Sequence, residues 1–254
     1  MTADADPKGL VRDHAPKRFD HTIDTWGFVG GRYDRRKQYA GLAFLALGVV
    51  GVVVCFLLYR LGDNNLHRVS DEWYRSAQPG GPEIKAMIRD NGINTVLRLV
   101  GTDDGNQRSF AEESVAVAES GATLIVCSMA TSRLPYRSEL SRLFEALDTI
   151  QPPVLVHCDA GSDRTGLASV IWLHDYRDRP LKEARKQMDF FPYGHVRFGA
   201  AHAISDFLDQ YEAFLKANPG SKLKIREWVR DHYFVEKEGR KLAPWYDGKM
   251  YQPS

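Results

Sequence analysis

The residues that promise chemistry form one segment, Val156-His-Cys-Asp-Ala-Gly-Ser-Asp-Arg-Thr-Gly166. An apolar run, Pro153–Val156, leads into Cys158, and a helical run, Leu167–His174, follows Gly166. This places a cysteine at a strand end and a loop, 158–164, at a helix amino terminus. Such a loop aims successive backbone N–H groups and the positive end of a helix dipole at one point, which suits a phosphate dianion. Asp159, Ala160, Gly161, Ser162 and Gly166 are the substrate-binding candidates of the segment, and Gly161 lets the loop bend without a Cβ penalty. Arg164 can grip two phosphate oxygens and hold the charge that develops in transfer. The same positive field favours a thiolate on Cys158, a competent nucleophile for in-line attack on phosphorus. Thr165 can donate a hydrogen bond to the sulfur and help it leave. His157 is expected to support the loop rather than to act as a base. The plainer reading is a loop that only binds phosphate, but mere binding does not need a nucleophilic cysteine.

The elements that must position this segment alternate. Asn94–Val100, Ala122–Cys127 and Pro153–His157 read as short β-branched strands, with helical patterns near 83–91, 107–120 and 137–150 between them. That order indicates an α/β domain, a central mostly parallel sheet flanked by helices. From Thr165 onward the chain reads as helical. Ile204, Phe207, Leu208, Tyr211, Phe214 and Leu215 form an apolar stripe at helical spacing, which is expected to be core. The stretch Lys222–Arg230 is basic and amphipathic. It reads either as a solvated domain helix or as a helix lying on anionic headgroups.

The segment from His157-Cys158 to Arg164-Thr165-Gly166 resembles the signature of the cysteine-dependent protein tyrosine and dual-specificity phosphatases. Trp73-Tyr-Arg-Ser-Ala-Gln-Pro79, then Asn91-Gly-Ile-Asn-Thr-Val-Leu97, is similar to the opening of the bacterial dual-specificity-like branch, as is Tyr193-Gly-His195. The resemblance covers about residues 68–215 and implies a parallel-centred sheet, a cysteinyl-phosphate intermediate and no cofactor or metal. Members of that branch often carry an Asn and an Arg on the second strand. Here those positions read Arg98 and Val100, so no role carries over. Typical tyrosine phosphatases also take a general acid from an Asp on a separate loop, whereas the matching stretch, Cys127–Pro135, has no Asp or Glu. A leaving oxygen still needs a proton. Asp163, directly before Arg164, is the first candidate, an arrangement that resembles phosphatases acting on phosphoinositides. Its bland role would be to cap the following helix. Asp159 is the second candidate, then Asp103 or Asp104. Arg133 is a candidate substrate contact, or simply a solvated loop arginine.

One stretch is unlike the rest. Ala40–Tyr59 has no charged residue, and a helix of that length spans a hydrocarbon core of about 30 Å. A cleaved signal peptide would have a shorter apolar run and a small-residue cleavage site. Residues 1–39 then form a polar cytoplasmic tail, 40–60 a transmembrane helix, 61–235 the phosphatase domain and 236–254 a terminal tail. Arg32, Arg35, Arg36 and Lys37 precede the span and only Arg60 closely follows it, so the positive-inside rule puts the domain outside, in the periplasm of a bacterium with the anchor in its inner membrane. That placement directs the substrate expectation to a phosphorylated envelope lipid such as lipid A. The rival substrate is a phosphoprotein.

The chain has 254 residues, with 34 Lys and Arg against 33 Asp and Glu, so no charge excess points to nucleic acid. Three cysteines, Cys55, Cys127 and Cys158, lack metal spacing and cannot form a disulfide framework. Cys55 lies in the apolar span and packs as a small hydrophobe. Cys127 and Cys158 each sit near the carboxyl end of a strand. They read as two independent thiols, or as a pair able to close a reversible bridge.

Overall fold

The computed structural model describes residues 35–62, 64–102, 105–199 and 201–238. Asp103, Asp104 and most of both expected tails lie outside them. Helix α1 runs Arg35–Gly62. Within it, Tyr39–Phe56 has a mean hydropathy of 2.4 and none of it is buried. By length and composition this helix can cross a membrane.

The unit Val52–Ser254 contains the sheet. The strands are β1 (His67–Ser70), β2 (Trp73–Ser76), β3 (Thr95–Arg98), β4 (Thr123–Val126) and β5 (Val154–His157), in the spatial order β1-β2-β5-β3-β4. Strand β1 is antiparallel to β2, and the other pairings are parallel. The crossovers are α2 (Gly81–Asn91), α3 (Gln107–Glu119) and α4 (Arg137–Thr149). Helix α2 stops because Gly92 takes the left-handed conformation at φ 62°, which only glycine adopts without strain. After β5 come α5 (Asp163–Ile171), the short α6 (Leu181–Ala184), α7 (His202–Ala217) and α8 (Ile225–His232).

Alternation along the strands divides the core into two layers. Tyr74, Val96 and Leu155 face Ile84, Ile88, Ala116 and Val117 of α2 and α3. Trp73, Leu97, Val154 and Val156 face the other way, in the larger cluster with Leu140 and Phe144 of α4, Leu167 and Ile171 of α5, and Phe207 of α7. The stripe on α7 is core, as its spacing predicts: Ile204, Phe207, Leu208 and Tyr211 are buried.

One feature differs from the sequence reading, and one choice that it left open is decided. Strands β1 and β2 were not foreseen, because His67-Arg-Val-Ser and Trp73-Tyr-Arg-Ser lack a β-branched run; β2 is nevertheless buried along its whole length, Arg75 included. Of the two readings of Lys222–Arg230, the domain helix holds, with its apolar face turned into the core. Ile225, Trp228 and Val229 of α8 are buried, with the Trp228 ring 5.5 Å from Phe207 and 5.4 Å from Tyr211.

Candidate active site

The Cys158 loop leaves the carboxyl end of β5, which lies between β2 and β3, the usual place for a ligand in a parallel sheet. Four of its carbonyls are tied to groups outside the loop. Asp159 O accepts from Gln78 N at 3.0 Å, Ala160 O from Asn65 Nδ2 at 3.1 Å, and Gly161 O and Ser162 O from Arg75 Nη2 at 2.8 and 3.2 Å. A trans peptide points its N–H opposite to its C=O. With those oxygens held outward, the N–H groups of Ala160, Gly161, Ser162 and Asp163 turn to the inside of the loop, ahead of the amino terminus of α5. This is the geometry of an anion cradle. Gly161 has φ 69°, and a Cβ there would lie 2.5 Å from Ala77 N, so both the turn and the close approach demand glycine.

Arg75 and Asn65 organise the cradle, and neither was singled out from the sequence. Arg75 is fully buried, donates through Nη1 to Gln187 O and Oε1 at 2.7 and 2.8 Å, and lies 3.9 Å from the Tyr193 ring centroid. Asn65 Nδ2 also reaches Tyr193 O at 3.2 Å, and Ser162 Oγ donates to the same carbonyl at 2.9 Å. Loop 189–199 is thereby fastened to the cradle.

A second buried group lies behind Cys158. Glu113 of α3 is ion-paired with Arg98 of β3, and its Oε1 lies 2.7 Å from His157 Nε2, all three side chains being at most 1 % exposed. Burial works against the Glu113 charge. The hydrogen bonds and charges of His157 and Arg98 outweigh it and hold the carboxyl below its ordinary range. His157 is thus tied to α3 through Nε2, while its Nδ1 is buried without a hydrogen-bond partner among the described residues. Arg98 works here as a structural cation. Glu113 had a signal: it shares a helical face with Ala116 and Val117, both buried against the sheet.

The remaining candidates separate. Cys158 is 2 % exposed, while Asp159 and Ala160 are exposed at the rim. Arg164 Nη1 rests on Leu99 O and Met129 O at 3.4 and 3.3 Å. Its Nε, and Thr165 Oγ1, are buried without a protein hydrogen-bond partner. Asp163 is partly exposed, and its Oδ1 lies 2.5 Å from Nδ1 of the buried His195, whose Nε2 lies 2.7 Å from Ser205 Oγ. Gly166 sits on α5 beside Gln187 and Met188, where a Cβ would meet Met188 Sδ at 2.5 Å, so it serves close packing. Arg133 spends two nitrogens on Glu139, at 2.8 and 2.7 Å, and stacks 3.4 Å from the Tyr136 centroid.

The two inner thiols stay independent. The register aligns His157 with Arg98 and Arg98 with Val126, so Cys158 and Cys127 stand on either side of β3. Two strand spacings are about 9–10 Å, beyond the roughly 7 Å that a disulfide tolerates between Cα atoms. Burial pushes the Cys127 thiol up to about 11, which makes it a poor nucleophile.

Part of the chain is similar to known proteins. Residues 69–175 match the tyrosine phosphatase family. No curated protein matches the chain. Among solved structures, TpbA of P. aeruginosa is 21% identical, with 57% of this chain and 84% of that chain covered at a TM-score of 0.46. Tk-PTP in its active form is 22% identical, with 59% and 97% covered at 0.45. The core catalytic domain of the PP-IP phosphatase SIW14 from S. cerevisiae, in complex with citrate, is 20% identical, with 63% and 96% covered at 0.44. The family match runs from β1 past the end of α5 and so contains the whole Cys158–Gly166 loop: the chain is a cysteine-dependent phosphatase.

Proposed function

We propose that the chain is a membrane-anchored phosphomonoesterase whose substrate is a phosphorylated envelope lipid of the lipid A class, and that it works through a cysteinyl-phosphate on Cys158. The observation that carries this reading is the acid inside the loop: Asp163 directly precedes Arg164, and His195 fixes one of its oxygens at 2.5 Å. In the first step the Cys158 thiolate attacks phosphorus and the P–O ester bond breaks. The alcohol leaves with the proton supplied by Asp163, through the oxygen that His195 does not hold. Arg164 and the inward N–H groups hold the equatorial oxygens throughout. In the second step water attacks phosphorus, Asp163 takes its proton, and the sulfur departs as thiolate with Thr165 Oγ1 donating to it. Inorganic phosphate is the product.

The lipid assignment draws on the tether. Only residues 60–66 separate the end of the uncharged stretch from β1, which keeps the domain beside any bilayer that α1 crosses. The charge asymmetry around α1 favours a periplasmic domain and an inner-membrane anchor. The family match favours a second substrate class, phosphotyrosine or phosphoserine/threonine on proteins.

The test uses the full chain reconstituted in vesicles, with Cys158→Ser as control. Phosphate release is measured from a lipid A-type phospholipid and from a phosphotyrosine peptide. Release from the lipid alone, absent in the variant, supports both mechanism and substrate. Release from the peptide alone moves the substrate to protein. Release from neither, with folded and reduced protein, removes the mechanism.

A further inference from the structure

The segment that fastens Tyr193 and His195 to the cradle also carries exposed apolar side chains that the core does not use. Phe190 is 58%, Phe191 72%, Val196 42% and Phe198 86% exposed. Soluble domains seldom leave three phenylalanines so open within one short loop, and such a patch marks a contact surface. Its position says which surface. The Phe56 ring, in the last turn of the uncharged stretch Ala40–Tyr59, lies 5.4 Å from the Phe190 ring and 5.7 Å from that of Phe191. The loop therefore lies beside the last turn of that stretch, where a membrane-crossing α1 would leave the hydrocarbon. Aromatic side chains are the favoured residues at that depth.

We propose that residues 190–198 form a membrane-docking loop, whose aromatic rings enter the outer edge of the bilayer that α1 crosses. This rests on the reading of α1 as a membrane span and deepens the lipid assignment. The same few residues bear both functions. Phe190, Phe191 and Phe198 meet lipid, while Tyr193 stacks on Arg75 and His195 holds Asp163. Docking then presents the Cys158 loop to phosphate groups at the headgroup level and braces the side of the cradle that carries the acid. A phosphorylated lipid would reach Cys158 without leaving the membrane.

The test places a tryptophan in the loop of the full chain, Phe191→Trp, and reconstitutes it in phosphatidylcholine vesicles with or without bromine on the acyl chains. Wild type, with its own five tryptophans, is the baseline. The expected result is an added emission that is blue-shifted and quenched by the brominated lipid. An added emission that is red-shifted and unquenched overturns the proposal. A blue-shifted emission that bromine does not quench also overturns it, because the loop is then covered by protein, such as a second copy of this chain. The readout needs no turnover, so it stands apart from the substrate assignment. A second variant, Phe190→Ser with Phe198→Ser, should lower hydrolysis of a bilayer-embedded phospholipid at least about tenfold, since two rings leave the membrane contact, while a soluble aryl phosphate is hydrolysed as before. Equal loss on both substrates counts against docking.

Discussion

Asp163 Oδ1 and His195 Nδ1 stand 2.5 Å apart, and the imidazole is nearly closed to solvent while the carboxyl is 21% exposed. A residue that merely capped α5 would turn its carboxylate to the first N–H groups of the helix. The recorded partner of the Asp163 carboxyl is instead a histidine that Ser205 orients in turn. One oxygen is fixed, and the other has no hydrogen bond to the described residues. That division is what a group needs if it must give and take one proton at a defined place.

If Asp163 is the acid, its loss depends on the leaving group. Asp163→Asn should slow hydrolysis of an alkyl phosphate by about 10²–10⁴-fold, the usual worth of a positioned general acid, and slow an aryl phosphate with a weakly basic leaving group far less. His195→Ala should show the same selectivity in smaller degree, and His195→Asn, whose amide can still donate to the carboxylate, should restore part of it. Steady-state kinetics with a series of leaving groups reads this out. Equal loss across the series would assign Asp163 and His195 to folding alone.

Arg75 turns the Gly161 and Ser162 carbonyls outward, so its effect on catalysis is indirect and readable as anion affinity. Arg75→Lys keeps a cation but cannot serve Gln187 and the loop together, because an ammonium lacks the planar fork. We expect weaker inhibition by vanadate and phosphate, by about tenfold, with kcat lowered as well. Arg75→Met should also destabilise the domain, by about 1–3 kcal/mol for each buried acceptor left unpaired. Unchanged vanadate inhibition in Arg75→Lys would show that the loop holds its shape without this residue.

The sequence made the chemistry legible where it is local. The strand, loop and helix around Cys158–Thr165 are contiguous, so residue types and spacing reveal them together. The apolar strands and α7 were legible for the same reason. What stayed hidden depends on distant parts of the chain. Asn65 and Arg75 meet Gly161 across separations of 96 and 86 residues, and nothing in a polar side chain on a short strand says which loop it will hold. The segments Trp73–Pro79 and Tyr193–His195 stood out by resemblance, yet their roles came only with the contacts. Arg98 was visible as a departure from pattern, but its counter-charge Glu113 lies on a helix whose neighbour Glu112 has the same chemistry and faces solvent. Burial alone distinguishes the two.

Glu113 links this hidden group to pH. Its carboxyl is held below the ordinary range, despite burial, by His157 and Arg98. A folded value below the unfolded one, about 4.3, adds stability that is present above the unfolded value and lost as pH falls through the folded one. Wild type should therefore lose melting temperature steeply below about pH 4.5, and Glu113→Gln should lose less over the same window. At neutral pH the variant should be less stable by about 3–5 kcal/mol, because the buried Arg98 charge keeps no counter-charge. Melting of the full chain in detergent, from pH 3 to 7, separates the cases in that range. A variant as stable as wild type at neutral pH would mean that Arg98 finds another partner. The support of His157 beneath Cys158 would then have to come from elsewhere.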